Sequence, residues 1–257
     1  MIEKFEVFMP QFQKERMIHV YLPDNYHQED ESYPVLYMFD GHNMFLDQDA
    51  TYGHAWNWPK YMEQYRNKCI IVGQECSHEG NARLSEYGPY NFYDHEFGLF
   101  VGKGKETMDF FIHTLKPIID KKYRTKKGRT NTWIGGSSCG GLMAYFALMN
   151  YSSTYSKALV VSPYLYPTFQ KLYEETEKAD IHKNSQFYIS WGALEGGTHG
   201  FLHETIYCTQ LSNLLMKKGN KVYFNVKEHG KHTEQDWEDE IPMMLDFLFE
   251  NGSFSQD

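Results

Sequence analysis

The chain has 257 residues, enough for one large domain or two small ones at about 150 residues per domain. Its 25 Lys and Arg against 34 Asp and Glu give a net charge of −9, which argues against a polyanion binder, because nucleic-acid binding needs a basic face to displace counterions. With 41% hydrophobic and 17% aromatic residues the chain can bury a large core, so wholesale disorder is excluded.

Met1 to Pro10 mixes Glu3, Lys4 and Glu6 with apolar residues and lacks the apolar stretch of a signal peptide. No apolar run approaches the roughly 20 residues that span a bilayer. Cys69, Cys76, Cys139 and Cys208 contain no C-x-x-C pair and are too few for a disulfide framework. A reducing, cytoplasmic setting is expected, with neither nucleic acid nor membrane as partner. Self-association into a homo-oligomer is left open.

In chain order, the candidate strands are Phe5–Met9, Arg16–Leu22, Val35–Phe39, Cys69–Gly73, Thr130–Ile134, Ala158–Ser162, Phe187–Trp191 and Lys221–Val226. The first two suit a hairpin across Pro10–Glu15. The later ones are short, apolar and bounded by Gly or Pro, as strands buried on both faces are. Between them, Met108, Phe111, Leu115 and Ile118 share one helical face, as do Cys208, Leu211 and Leu215, and Ile241, Met244, Leu245 and Leu248. Gly140 to Met149 is helical by composition. This alternation implies crossover units, hence one mostly parallel α/β domain over residues 1–257 with a sheet of about eight strands and helices on both faces. Ser77 to Lys105 has little periodicity and is expected as a loop-rich segment near the active site.

Gly136-Ser137-Ser138-Cys139-Gly140 fits G-x-S-x-G between a buried strand and a helix. A sharp strand-to-helix turn holds such a serine in a strained conformation, so side chains two residues either way must be absent. The turn lifts the hydroxyl above the carboxyl end of the sheet, at a helix N-terminus that favours developing negative charge. Ser138 is therefore the expected nucleophile. Cys139 lacks a flanking glycine at position 137 and reads as a small residue buried in the turn.

A serine hydroxyl needs a base. His203, His229 and His232 are the late candidates. His203 starts a helix pattern beside Glu204 and reads as surface. His229 and His232 both follow the last strand, with His232 nearer the next helix. A metal site at His229 and His232 is disfavoured, because no carboxylate or cysteine stands at ligand spacing, and no metal or other cofactor is expected. Glu195 lies just past Phe187–Trp191, where a carboxylate could orient the imidazole. The order Ser138, Glu195, His232 is that of α/β-hydrolases. A second oxyanion donor is expected in Asp40-Gly41-His42-Asn43, with the His42 N–H joining that of Cys139.

Together these residues resemble the Putative esterase family of α/β-hydrolases, which groups esterase D, siderophore esterases, feruloyl esterases and mycolyltransferases. The matching stretches are Val35–Gly41, Arg83–Tyr87, Lys116–Thr125, Gly136–Gly141, Gly192–Glu195 and His232–Trp237. The resemblance runs from the first strand to Phe249. It implies an α/β-hydrolase fold with Ser138 as nucleophile, Glu195 as acid and His232, rather than His229, as base. It also implies that Arg83, Glu86 and Tyr87 lie above the site and contact substrate. Cys139 departs from the family's usual Met, and Asp40-Gly41 from the His-Gly of many members.

Arg83 could bind a carboxylate or phosphate, or instead pair with Glu86 three residues later. The aromatics Tyr52, Trp56, Trp58, Tyr61, Tyr90, Phe92, Tyr93 and Phe97 are candidates to line an acyl pocket. The expected activity is a serine esterase cleaving a small-molecule carboxylic ester through an acyl-enzyme. The alternatives are an acyltransferase using the same intermediate and a non-catalytic binding protein on the same fold.

Overall fold

The computed structural model describes residues 1–195 and 197–250, and of residues 197–203 the backbone alone. Eight strands form one sheet: β1 (Ile2–Met9), β2 (Lys14–Tyr21), β3 (Val35–Phe39), β4 (Ile70–Gln74), β7 (Thr132–Ser137), β8 (Lys157–Val161), β9 (Gln186–Gly192) and β10 (Lys221–Lys227). A separate two-stranded hairpin holds β5 (Phe92–Asp94) and β6 (Gly98–Phe100). The order across the main sheet is β1-β2-β4-β3-β7-β8-β9-β10. β1 to β2 and β2 to β4 are antiparallel, and every later pairing is parallel. This is the mostly parallel α/β-hydrolase architecture expected.

Period-two alternation explains why the central strands look uniformly apolar. Val35, Tyr37 and Phe39 of β3 join one core, while Leu36 and Met38 join the other. The first core packs beneath the helices α3 (Gly104–Phe110), α4 (Lys116–Lys122), α5 (Cys139–Asn150), α6 (Phe169–Lys178) and α7 (Gly197–Lys217). The second is closed by α1 (Trp58–Gln64), α8 (Glu234–Glu238) and α9 (Ile241–Phe249). Each strand must therefore be apolar on both faces.

Most strand ends differ from the sequence reading by one or two residues, and three departures go further. β1 begins at Ile2 rather than Phe5, because Ile2 pairs with Tyr21 and Glu3 with Val20, and backbone pairing does not need apolar side chains. β7 continues three residues past Ile134, since Gly135, Gly136 and Ser137 pair with Leu159, Val160 and Val161. Between α3 and α4 a π-helical turn, Phe111–Leu115, inserts a wider step, so Ile119 rather than Ile118 reaches the deep core. Residues 77–105 are not structureless either: they contain α2 (Ala82–Glu86) and the β5–β6 hairpin, whose Phe92 and Phe100 rings stack at 5.3 Å. No helix among the described residues is long and apolar enough to cross a membrane.

Candidate active site

Ser138 stands between β7 and α5 with φ 56° and ψ −123°, a conformation that side-chain-bearing residues rarely adopt. The flanking glycines make the turn possible. A Cβ at Gly136 would lie 2.7 Å from the carbonyl carbon of Gly140, and one at Gly140 would lie 2.9 Å from Phe39 Cβ. The Ser138 N–H donates to Val161 O at 3.0 Å, tying the turn to β8. From Cys139 to Met149 every residue of α5 is buried, so the helix beneath the serine is fixed by packing on all sides. Ser138 itself stays partly exposed. Cys139 is buried, and burial raises its thiol pKa, which suits a packing residue better than a nucleophile.

Glu195 and His232 meet from the loops after β9 and β10. The two loops are laced by Ala193 N–H to Lys227 O at 2.8 Å and Leu194 N–H to Gly230 O at 2.9 Å. Glu195 Oε2 lies 2.7 Å from His232 Nδ1, and Oε1 accepts from Ser162 Oγ at 2.6 Å and from the Gly192 N–H at 2.9 Å. Trp237 Nε1–H donates to Ser162 Oγ at 2.9 Å, and its ring meets the His232 ring edge-on at 4.9 Å. The carboxylate is thus held from three sides while 98% buried, and the imidazole is held by its Nδ1 edge and one face. With Nδ1 engaged, Nε2 is the nitrogen available to a substrate or hydroxyl. The His229 side chain is 84% exposed, with its Nε2 4.0 Å from Glu228 Oε1. The His203 side chain lies outside the described residues. Ser162, at φ 43°, carried no signal in the sequence because it ended an ordinary apolar strand.

Ser138 and His232 line one cleft of about 570 Å³ together with Asp40, His42, Cys76, His78, Arg83 and Trp237. No hydrogen bond joins Ser138 to His232 among the described residues, and the His232 side chain is 42% exposed. A wider depression of about 780 Å³ lies at the opposite, amino end of the strands, around Tyr33, Pro34 and Lys157. Ligands of open α/β sheets sit at the carboxyl ends, which favours the former.

The structure corrects the reading of Arg83, Glu86 and Tyr87. Arg83 does not pair with Glu86. Its Nε and Nη2 donate to Asp40 Oδ1 and Oδ2 at 2.8 and 2.7 Å, a bidentate pair closed across 43 residues. Glu86 is buried against Arg16 and accepts the Ser77 N–H at 2.9 Å. Tyr87 is buried too; its hydroxyl donates to Gln74 Oε1 at 2.8 Å and accepts the Asp40 N–H at 3.3 Å. Glu86 and Tyr87 therefore face the interior, and of the three only Arg83 borders the cleft. Burial pushes the Asp40 carboxyl up, but the Arg83 charge and hydrogen bonds outweigh it and hold its pKa below the usual value. His42 is buried, which lowers its pKa, and its Nε2 lies 2.9 Å from Thr51 Oγ1. Of the aromatic set only Tyr52 and Phe97 line the cleft; Trp56 and Trp58 are fully buried in the second core.

Glu204, on α7, is pushed up to about 7 by burial and by the charge of Glu195. A carboxyl whose folded pKa exceeds its unfolded value of about 4.3 binds more protons when folded, so stability falls as pH rises between the two. Glu204→Gln is therefore expected to raise the melting temperature clearly at pH 8 and much less at pH 5. Equal shifts at both pH values in thermal melts would contradict this.

Comparisons with known proteins agree with this architecture. The Putative esterase family matches residues 10–248. An uncharacterized protein, YbbA of Bacillus subtilis (strain 168), is 24% identical over 229 residues, 86% of this chain and 81% of its own. Among solved structures, an IroE-like serine hydrolase from Shewanella oneidensis superposes with a TM-score of 0.79 at 21% identity, covering 100% of this chain and 82% of its own. The BES protein from Bacillus cereus gives 0.76 at 22% identity, covering 96% and 94%. The enterobactin esterase FES from Shigella flexneri gives 0.76 at 14% identity, covering 98% of this chain and 59% of its own. The structural likenesses speak to the fold, and the family match speaks to hydrolysis of esters in general. On a match that spans nearly its whole length, the chain belongs to the Putative esterase family.

Proposed function

We propose that the protein is a serine hydrolase that cleaves carboxylic esters through an acyl-enzyme on Ser138. His232 Nε2 takes the hydroxyl proton as Ser138 Oγ bonds to the carbonyl carbon, and Glu195 stabilises the resulting imidazolium. The imidazolium then returns the proton to the departing alcohol. Water, deprotonated by the same nitrogen, attacks the acyl-enzyme and restores the serine. The N–H groups of His42 and Cys139 hold the oxyanion in both halves. What carries this reading is the strained Ser138 sharing a cleft with an imidazole whose other nitrogen is bound to a buried carboxylate. The oxyanion roles have separate support: neither N–H has a backbone partner among the described residues, and Cys139 opens the first turn of a helix of 12 residues.

A fluorophosphonate probe tests the reading directly. Wild-type protein is expected to be labelled at Ser138, and prior denaturation or His232→Ala should abolish the labelling. Labelling at any other residue, or none on the folded protein, would refute the proposal. A panel of short-chain, long-chain and aromatic-acyl esters then finds the substrate class, since Tyr52, Phe97 and Trp237 offer ring surface to an acyl group. Product analysis with added alcohol separates hydrolysis from acyl transfer.

A further inference from the structure

His42, Cys76 and His78, which lie outside the proton-relay residues, converge at one wall of the same cleft. Their ligand-capable atoms all lie within 4.8 Å of one another. Two imidazoles and a thiol are the donor set of borderline-soft divalent ions such as zinc. Tetrahedral ligands stand about 3.3–3.8 Å apart for bonds of roughly 2.0–2.3 Å, so the cluster must tighten by about 1.5 Å at most. His78, with a side chain 58% exposed, can supply that movement.

A second observation points to a ligand. His42 is 95% buried and its Nδ1 has no hydrogen-bond partner among the described residues, an unusual state for a buried ring nitrogen. The two rings are also prepared alike. His42 Nε2 is engaged by Thr51 Oγ1 at 2.9 Å, and His78 Nε2 by Glu75 Oε2 at 3.2 Å. The Glu75 carboxylate can only accept, so His78 Nε2 carries the proton and Nδ1 is its electron-pair donor. Thr51 Oγ1 can accept the His42 Nε2 proton and leave that Nδ1 an electron-pair donor in the same way, as in many metal-binding histidines. Glu75 is itself fixed by His19 Nε2 at 2.6 Å. The rings meet edge-to-face at 4.7 Å with Cys76 beside them.

We propose that His42, Cys76 and His78 bind a zinc-class divalent cation whose fourth coordination position opens into the cleft. Binding releases the Cys76 thiol proton to solvent and forms a sulfur–metal bond, with both imidazoles donating lone pairs. An ion there occupies the wall beside the His42 N–H and obstructs the cleft, so it acts as a reversible block on turnover. The binding site stands by itself, and the block rests on the hydrolase reading.

Cobalt(II) added to chelator-treated protein tests the site without using activity. One equivalent should produce a thiolate-to-cobalt charge-transfer absorption that zinc abolishes by competition. Cys76→Ser should lose that absorption, and His78→Ala should weaken cobalt affinity at least as much as the roughly 10–100-fold typical of losing an outer-shell partner. His232→Ala should keep both. Absence of the band in the wild type, or its survival in Cys76→Ser, overturns the site. Zinc at saturating concentration should then stop hydrolysis of p-nitrophenyl acetate, with recovery on adding chelator, while Cys76→Ser retains its own chelator-treated rate. A band without inhibition, or equal inhibition of Cys76→Ser, overturns the block. A protein that shows the band with cobalt yet never turns over when metal-free would count against Ser138 chemistry instead.

Discussion

Replacing Ser138 by alanine is expected to lower kcat/KM for p-nitrophenyl acetate by roughly 10⁴-fold or more, leaving only the contribution of oxyanion donors and binding. At about 1.4 kcal/mol per factor of ten, that loss is about 5.5 kcal/mol of barrier stabilisation. Cys139→Ala, by contrast, should keep most of the activity, because its proposed part is played by a backbone N–H that alanine also has. Ser138→Gly adds a second, opposite signature. The serine pays for its φ of 56°, so glycine there should raise folding stability by about 1 kcal/mol while turnover is lost. A gain in stability with loss of activity marks strain kept for chemistry. If Ser138→Ala retained more than a tenth of the wild-type rate, or Cys139→Ala were the inactive variant, the nucleophile would have to be sought elsewhere.

What could be read before the fold was known follows from which constraints are local. The turn at Ser138 is written in five consecutive residues, because sterics across Gly136 and Gly140 act over two positions either way. Glu195 and His232 were legible from strand ends and chain order, since each strand's carboxyl end delivers its loop to the same edge of the sheet. The partner of Arg83 was not legible. Asp40 lies 43 residues away, and only the adjacency of β3 and β4 brings the loop after β3 under α2. Glu86 was equally opaque: its partner Arg16 comes from an antiparallel strand 70 residues earlier. The Ser162 link between Glu195 and Trp237 likewise exists only once β8 lies beside β9. Aromatic residues misled for a different reason. A large ring is as useful in a core as in a pocket, and Trp56 and Trp58 serve the core.

The Asp40–Arg83 pair leads to a prediction that separates structure from recognition. Asp40 has a side chain 4% exposed and occupies a left-handed conformation at φ 56° two residues before His42, whereas the Arg83 side chain is 28% exposed at the cleft edge. Arg83 spends its Nε–H and one Nη2–H on the carboxylate, which neutralises much of its charge and leaves three N–H donors for any other partner. Arg83→Ala strands a buried carboxylate and is expected to cost about 3 kcal/mol, the scale of breaking a buried pair from one side. The double variant Asp40→Asn, Arg83→Gln should recover much of that loss, because no uncompensated charge remains. The pH dependence carries the same sign logic. In the wild type the folded pKa of Asp40 is lowered, so its contribution is present above the unfolded value of about 3.9 and disappears as pH falls through the folded one. Without Arg83, burial is opposed only by the smaller influences of His42 and Cys76, and that pKa moves upward. Both proteins share the gain that Glu204 gives on going from pH 8 to pH 5, and the single variant should gain more than the wild type by the part that Asp40 adds. Thermal melts of the three proteins at both pH values, beside KM for a neutral ester and an anionic one, decide the matter. An Arg83→Ala protein that melts like wild type yet shows a KM raised only for the anionic ester would make Arg83 a substrate ligand, and the pair with Asp40 would then be incidental to the fold.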